Sequence, residues 1–225
     1  MQILRLIFKK QLYHYLFLAI LLAISILAAN LTGAYEGYLW NHSTRFWLWL
    51  SIGIVIAHQF YVWLVWRLEL HLKFFTRKLG KAAFPLWSIF FMIFLACRFL
   101  FVFFVGYSNR GTLNIFPFIG WIISAAILIL AAYTGYSILR YFSIRRALGI
   151  DHFDPTYRSM DMVRKGIYKY VPNAMYVFAL ALVWVPALIF YSKAALISAF
   201  FNHAYIWVHY YTVELPDMRI IYGNR

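Results

Sequence analysis

The chain has 225 residues, of which 64% are hydrophobic, 22% aromatic and 12% charged, with mean hydropathy +0.72 and a formal net charge of +14 at pH 7. Soluble domains carry about 25% charged residues, so this composition excludes an ordinary soluble enzyme and points to a polytopic membrane protein. The basic excess argues for residues flanking membrane segments on the cytoplasmic side and against nucleic acid as a partner.

In chain order, Arg5, Lys9 and Lys10 precede an apolar run over about 12–31. The run is longer than the core of a secretory signal and no A-x-A site follows, so it reads as an uncleaved first span. A polar link with Gly33, Glu36, Gly37 and Asn41 leads to a second span over 44–66. Asn30-Leu31-Thr32 and Asn41-His42-Ser43 fit the glycosylation acceptor pattern, but both sit against the membrane and read as chance matches. Over 67–84, Arg67, Glu69, His71, Lys73, Arg77, Lys78 and Lys81 alternate with Leu and Phe, the pattern of an amphipathic helix lying along the headgroups. Pro85 opens a third span to 105, and a fourth runs over 115–138, its helix continuing to 148 with Arg140, Arg145 and Arg146. The longest polar connection, 149–172, precedes a fifth span over 174–191 and a sixth over 194–213.

The expected fold class is therefore all-α, a polytopic membrane helical bundle of about six transmembrane helices. It forms a single integral-membrane domain, with 1–139 holding spans one to four and 140–225 holding a polar loop, a C-terminal helical hairpin and a tail. Of the 21 Lys and Arg residues, Arg45, Arg110 and Lys193 lie on one side, Arg98 lies within span three, and the rest fall on the other side. With six spans that asymmetry puts both termini in the cytoplasm. The lone Cys97, in an apolar window, allows no intrachain disulfide and reports no redox compartment.

Several chemistries are excluded by spacing. The seven histidines include no pair at i+3 or i+4, which argues against histidine boxes and zinc-protease motifs, and no metal set is expected. The 11 glycines include no G-x-G, and neither a G-x-S-x-G elbow nor a P-loop occurs. On a helical projection His203, Trp207, Tyr210 and Glu214 share one face, and Asn202, Tyr205 and His209 a neighbouring one. Two readings stand: an interfacial belt of aromatic rings with mutually satisfied histidines, or a polar cavity that accounts for a carboxylate near the membrane boundary. Tyr168, Tyr170 and Tyr176 are open in the same way, as headgroup-level rings or as a cage for a sulfonium or ammonium ion. Arg164, Lys165 and Lys169 read either as ordinary flanking charges or as holders of a lipid phosphate. Arg98, inside span three, calls for a structural partner in the bundle. Asp151-His152-Phe153-Asp154-Pro155 allows a small polar site but reads more simply as a turn.

Two stretches carry a family resemblance. Gly166-Ile167-Tyr168-Lys169-Tyr170-Val171-Pro172-Asn173-Ala174-Met175-Tyr176 resembles the G-P-Y-R-Y-V-R-H-P-M-Y motif of integral-membrane methyltransferases, the group of isoprenylcysteine carboxyl methyltransferases and phospholipid N-methyltransferases. Glu214 to Gly223 is similar to their E-E-x-x-L-x-x-x-F-G ending, with Glu214, Met218, Tyr222 and Gly223 in register. Pro172-Asn173-Ala174 stands where that motif has R-H-P, and Leu215 replaces the second glutamate; an Asn here is similar to the N-P-M-Y of phospholipid methyltransferases.

The resemblance implies S-adenosylmethionine as cofactor and a lipid amine of the phosphatidylethanolamine type as methyl acceptor. The implied catalytic residues are Glu214, Asn173 and His209. Tyr168, Lys169, Tyr170, Asn173, Met175, Tyr176, His203 and Glu214 are implied at the cofactor, and Arg164, Lys165 and Arg219 at the substrate headgroup. The active site is expected to face the cytoplasm, in a bacterial inner membrane or the endoplasmic reticulum, with membrane lipids as partners. An isoprenylcysteine carboxylate or another small lipophilic acceptor, an NADPH-dependent reductase of the sterol-reductase type, and an inactive scaffold remain as alternatives.

Overall fold

Lys10, in left-handed backbone (φ 64°), separates α1 (Gln2–Ile7) from α2 (Gln11–Thr32). The computed structural model describes residues 2–223. A two-residue ribbon, β1 (Tyr38–Leu39) antiparallel to β2 (His42–Ser43), leads into α3 (Thr44–Leu72). The Ser43 hydroxyl caps α3 by accepting from Phe46 N–H at 3.3 Å. At Lys73 (φ 54°) the chain turns into α4 (Phe74–Leu79), followed by α5 (Ala83–Ser108) and α6 (Pro117–Ser137), which starts with proline at its first turn. The remaining helices are α7 (Ile144–Ala147), α8 (Val185–Ile189), α9 (Lys193–His209) and α10 (Leu215–Tyr222).

Helix α9 is the axis of the bundle. It packs against α2, α3 and α5, and ten of its 17 residues are buried. Ala194, Ala195, Ser198 and Ala199 let neighbouring backbones approach closely, and Ser198 Oγ lies 2.8 Å from Ser51 Oγ of α3. Arg98 of α5 finds the structural partner its position demands, donating from Nε to Asn202 Oδ1 (3.1 Å) and from Nη2 to Asn202 O (3.3 Å). Asn202, Tyr205 and His209 are buried, whereas His203, Trp207, Tyr210 and Glu214 are half-buried, as the two helical faces predict.

The expected six spans and C-terminal hairpin are overturned. Among the described residues four helices are long and apolar enough to cross a membrane: Ile3–Thr32, Thr44–Leu72, Phe74–Ser108 and Pro117–Phe142. They are consistent with an integral membrane protein. The expected fifth span is a shorter apolar helix, Met175–Ile189, assembled from a π-helical turn (Met175–Ala179), a 3₁₀ turn (Leu180–Trp184) and α8. Fifteen residues rise about 22 Å as α-helix, short of a hydrocarbon core of about 30 Å. The expected sixth, α9, is 17 residues long and turns Asn202 and His209 into the bundle, so its burial is against protein. The count of six from which the placement of both termini was drawn is corrected to four.

The 67–84 segment is not one surface helix: α4 carries no buried residue, but the stretch before it belongs to α3. Arg67 and Glu69 are fully buried in the last turns of α3. Glu69 accepts from Phe75 N–H (2.9 Å), Thr76 N–H (3.1 Å) and the Thr76 hydroxyl, which makes it the N-terminal cap of α4. Past α6 the helix does not continue straight to 148. It widens into a π-helical turn, Ile138–Phe142, and breaks at Ser143 (φ 77°) before α7.

Two glycines set the polar loop that follows. Gly149 (φ 77°) lies so close to α3 that a Cβ there would meet the Trp66 ring at 2.7 Å. Gly166 (φ 59°) presses the motif loop on α6, with an added Cβ 2.6 Å from Ser137 Oγ, while Ile167 N–H donates to that same oxygen at 3.1 Å. A left-handed residue with a side chain costs about 1–2 kcal/mol before any clash. Gly166→Ala is thus expected to lower the denaturation midpoint of the detergent-solubilised protein. Gly135→Ala, where an added Cβ meets nothing within 4 Å, is expected to leave it unchanged or raised.

Candidate active site

Two π-helical turns face each other at one end of the bundle. Met175–Ala179 carries Tyr176, and Tyr210–Glu214 carries Glu214 where α9 passes into α10. A π turn inserts one residue into a helix, rephases the side chains around it, and often marks a functional site. Here the Tyr176 hydroxyl donates to Glu214 Oε2, so residues 38 apart in sequence share a hydrogen bond. The Tyr176 ring stands edge-on to Trp207 (6.1 Å) and Tyr210 (6.0 Å).

Beside this pair opens a cavity of about 500 Å³, within the range of small-molecule and cofactor sites. Its floor is aromatic: Tyr168 is buried and stacked on Phe142 (5.0 Å, 23°), and Trp66 is stacked on His152 (4.3 Å, 17°). The Tyr168 hydroxyl has no hydrogen-bond partner among the described residues, and burial pushes its pKa to about 12, so at neutral pH it remains a donor in search of an acceptor.

The second wall is charged. Arg146 of α7 lies over the Phe142 ring (5.2 Å), donates from Nη1 to Asp161 O (3.1 Å) and from Nη2 to the Tyr222 hydroxyl (3.3 Å). Tyr222 in turn donates to Asp151 Oδ2 at 2.5 Å. Arg146 Nε and Asp151 Oδ1 are buried without a hydrogen-bond partner among the described residues. Burial raises the Asp151 carboxyl above the usual range, opposed by the Tyr222 hydrogen bond and the nearby Arg146 charge. Lys73 fixes the loop bearing Asp151 by donating from Nζ to Phe153 O at 2.9 Å.

Of the residues singled out from sequence, Glu214, Asn173, Tyr168, Met175, Tyr176 and Arg219 line this cavity. The Asn173 carbonyl also accepts from Tyr176 N–H (2.9 Å) and Val177 N–H (3.0 Å), which starts the π turn. His209, His203, Lys169, Tyr170, Arg164 and Lys165 are not in the lining. His209 is buried in the bundle between His14 and Trp66, each 6.1 Å away. His203 accepts from the Trp184 indole N–H at 2.9 Å. Lys169 and Tyr170 are exposed and lie against each other (5.8 Å), and Arg164 and Lys165 are exposed. Sequence reasoning missed Arg146, Asp151 and Trp66 as wall residues. Arg146 looked like one more flanking charge and Asp151 like part of a turn; Tyr222 was legible only as a matched position in the ending motif.

The donor set suits a ligand carrying both signs of charge. Carboxylates (Glu214, Asp151) and ring faces suit a cationic centre, and the guanidinium suits an anionic group. The unpartnered atoms Arg146 Nε, Asp151 Oδ1 and Tyr168 Oη are groups such a ligand would satisfy. S-adenosylmethionine, with its sulfonium, ammonium and carboxylate, fits that description.

Residues 119–225 match the family model described as phospholipid methyltransferase. No curated protein and no solved structure matches the chain. The matched stretch begins in α6 and contains every cavity-lining residue except Trp66. The match is to the family model alone and covers just under half of the chain.

Proposed function

We propose that the protein is a membrane-embedded, S-adenosylmethionine-dependent methyltransferase whose acceptor is a lipid amine of the phosphatidylethanolamine type. The observation that carries this reading is the meeting of Asn173 and Glu214, one from each resembling motif, on the wall of one cavity inside the matched stretch. The Arg and Lys residues around that end, Arg140, Arg145, Arg158, Arg164, Lys165 and Lys169, favour a cytoplasmic placement of the site.

When bound, the cofactor supplies a methyl group activated on a sulfonium. Everything else is the work of the chain. Glu214, held by Tyr176, faces the position of the amine and takes the proton released on transfer, directly or through water. Asn173 orients the amine or the cofactor from the neighbouring wall, and the rings of Tyr168, Tyr176 and Tyr210 flank positive charge. The aromatic lining excludes water and keeps the amine in its neutral, nucleophilic form, so alignment supplies most of the barrier reduction. Arg219, at the exposed rim, takes the lipid phosphate, with Arg164 and Lys165 attracting anionic headgroups from outside the cavity.

Calorimetric titration of the protein in phosphatidylethanolamine nanodiscs with S-adenosylmethionine and with NADPH tests the cofactor, and transfer of a labelled methyl group tests the acceptor. Binding of the first and label in the lipid headgroup are expected. Binding of NADPH alone would sink the reading, and label in a prenylcysteine ester instead of the amine would move it to the carboxyl-acceptor branch.

A further inference from the structure

The charged wall of the cavity has a specific geometry. Arg146, Tyr222 and Asp151 form a continuous row, guanidinium to phenol (3.3 Å) to carboxylate (2.5 Å). Each end of the row keeps a buried atom with no hydrogen-bond partner among the described residues, Arg146 Nε at the basic end and Asp151 Oδ1 at the acidic end. Both side chains are at least nine-tenths buried, at 9% and 5% exposure, and both line the cavity. A salt bridge between them would have closed the row internally, but Tyr222 stands between and keeps the charges apart. Buried polar atoms left open in this way are costly unless something satisfies them. A guanidinium fork also has the planar geometry for a carboxylate or phosphate.

We propose that Arg146, Tyr222 and Asp151 form a subsite for a zwitterion, Arg146 taking its anionic oxygens and Asp151 its ammonium, with Tyr222 setting the distance between them. The inference rests on the methyltransferase reading and deepens it. Two groups in that reaction carry the required pair of charges: the amino-acid end of the methyl donor and the phosphoethanolamine head of the acceptor. Leu215 stands where the resembling motif has a second carboxylate, and Asp151 brings one to the same cavity from a different loop.

The test is a binding comparison on the purified full-length protein in nanodiscs, with three probes. S-adenosylhomocysteine carries the amino-acid end, 5′-methylthioadenosine is the same nucleoside thioether without it, and glycerophosphoethanolamine carries the acceptor head. Loss of one charge-assisted interaction weakens binding on the order of 10- to 100-fold. Arg146→Gln is expected to weaken S-adenosylhomocysteine by that factor with 5′-methylthioadenosine unchanged, which also reports that the variant is folded; Tyr222→Phe, which alters no charge, is expected to act in the same direction. A loss confined to glycerophosphoethanolamine supports the subsite and assigns it to the acceptor. Unchanged affinity for all three probes, or an equal loss for both nucleosides, would overturn the subsite while leaving the methyltransferase reading intact. If the unmodified protein binds neither nucleoside, that reading fails and the subsite fails with it.

Discussion

Glu214→Gln is expected to slow methyl transfer by at least about tenfold, because it removes the carboxylate proposed to take the proton while keeping the volume and most of the polar contacts of the side chain. A proton acceptor placed in the transition state contributes roughly 10²- to 10⁴-fold, so tenfold is the lower edge of the effect when water can substitute. The hydroxyl of Tyr176 holds this carboxylate from the facing π turn. Tyr176→Phe keeps the acceptor but frees its orientation, and its rate is expected to fall between the two. The measurement is single-turnover transfer of a labelled methyl group, with donor affinity determined separately so that binding and chemistry are not confused. A normal transfer rate in the Gln variant would remove Glu214 from the chemistry.

How much of this could be read from the residues depends on how local each signal is. The apolar windows are local, and the four long helices lie close to where the hydrophobic runs put them. The two faces of α9 were legible for the same reason, since a helical period needs no knowledge of the neighbours. What failed were the inferences that hung on the identity of a distant partner. Arg67 and Glu69 looked like headgroup-level charges, yet each is buried against groups that hydropathy does not see: Asp217, 150 positions away, and the start of α4. Hydropathy was equally blind to the setting of Asn202 and His209 in α9, which are turned into a protein core. In the cavity, the motif-bearing residues Glu214, Asn173, Tyr168 and Tyr176 were found, but Arg146 and Asp151 were not, because their pairing through Tyr222 is a long-range fact.

The largest stability effect is expected at that same distant pair. Arg67 Nε lies 2.6 Å from Asp217 Oδ1, both side chains have no solvent exposure, and His152 Nε2 lies 3.6 Å from the other carboxylate oxygen. Arg67 also donates to the carbonyls of Leu6 (2.6 Å), Thr212 (3.3 Å) and Val213 (3.4 Å), so one guanidinium ties α1, α3 and the α9–α10 junction together. Those carbonyls satisfy hydrogen bonds but cannot neutralise the charge. Asp217→Ala leaves a buried cation uncompensated, and breaking such a pair costs about 3–5 kcal/mol. Replacing both partners by apolar residues of similar size, Arg67→Met with Asp217→Leu, avoids the stranded charge and is expected to recover most of that loss, although the bonds to the three carbonyls go with it. Resistance to chemical unfolding of the single and double variants in one detergent reads the difference as a non-additive cycle. Donor affinity supplies a second readout. Asp217 anchors α10, which carries Met218, Arg219 and Tyr222 on the cavity wall, next to Trp66 one residue before Arg67. If the pair serves only stability, the double variant binds donor as the unmodified protein does. If it also sets the position of α10, the double variant is stable yet binds more weakly, because a repacked apolar pair fills the space without fixing the register of the helix.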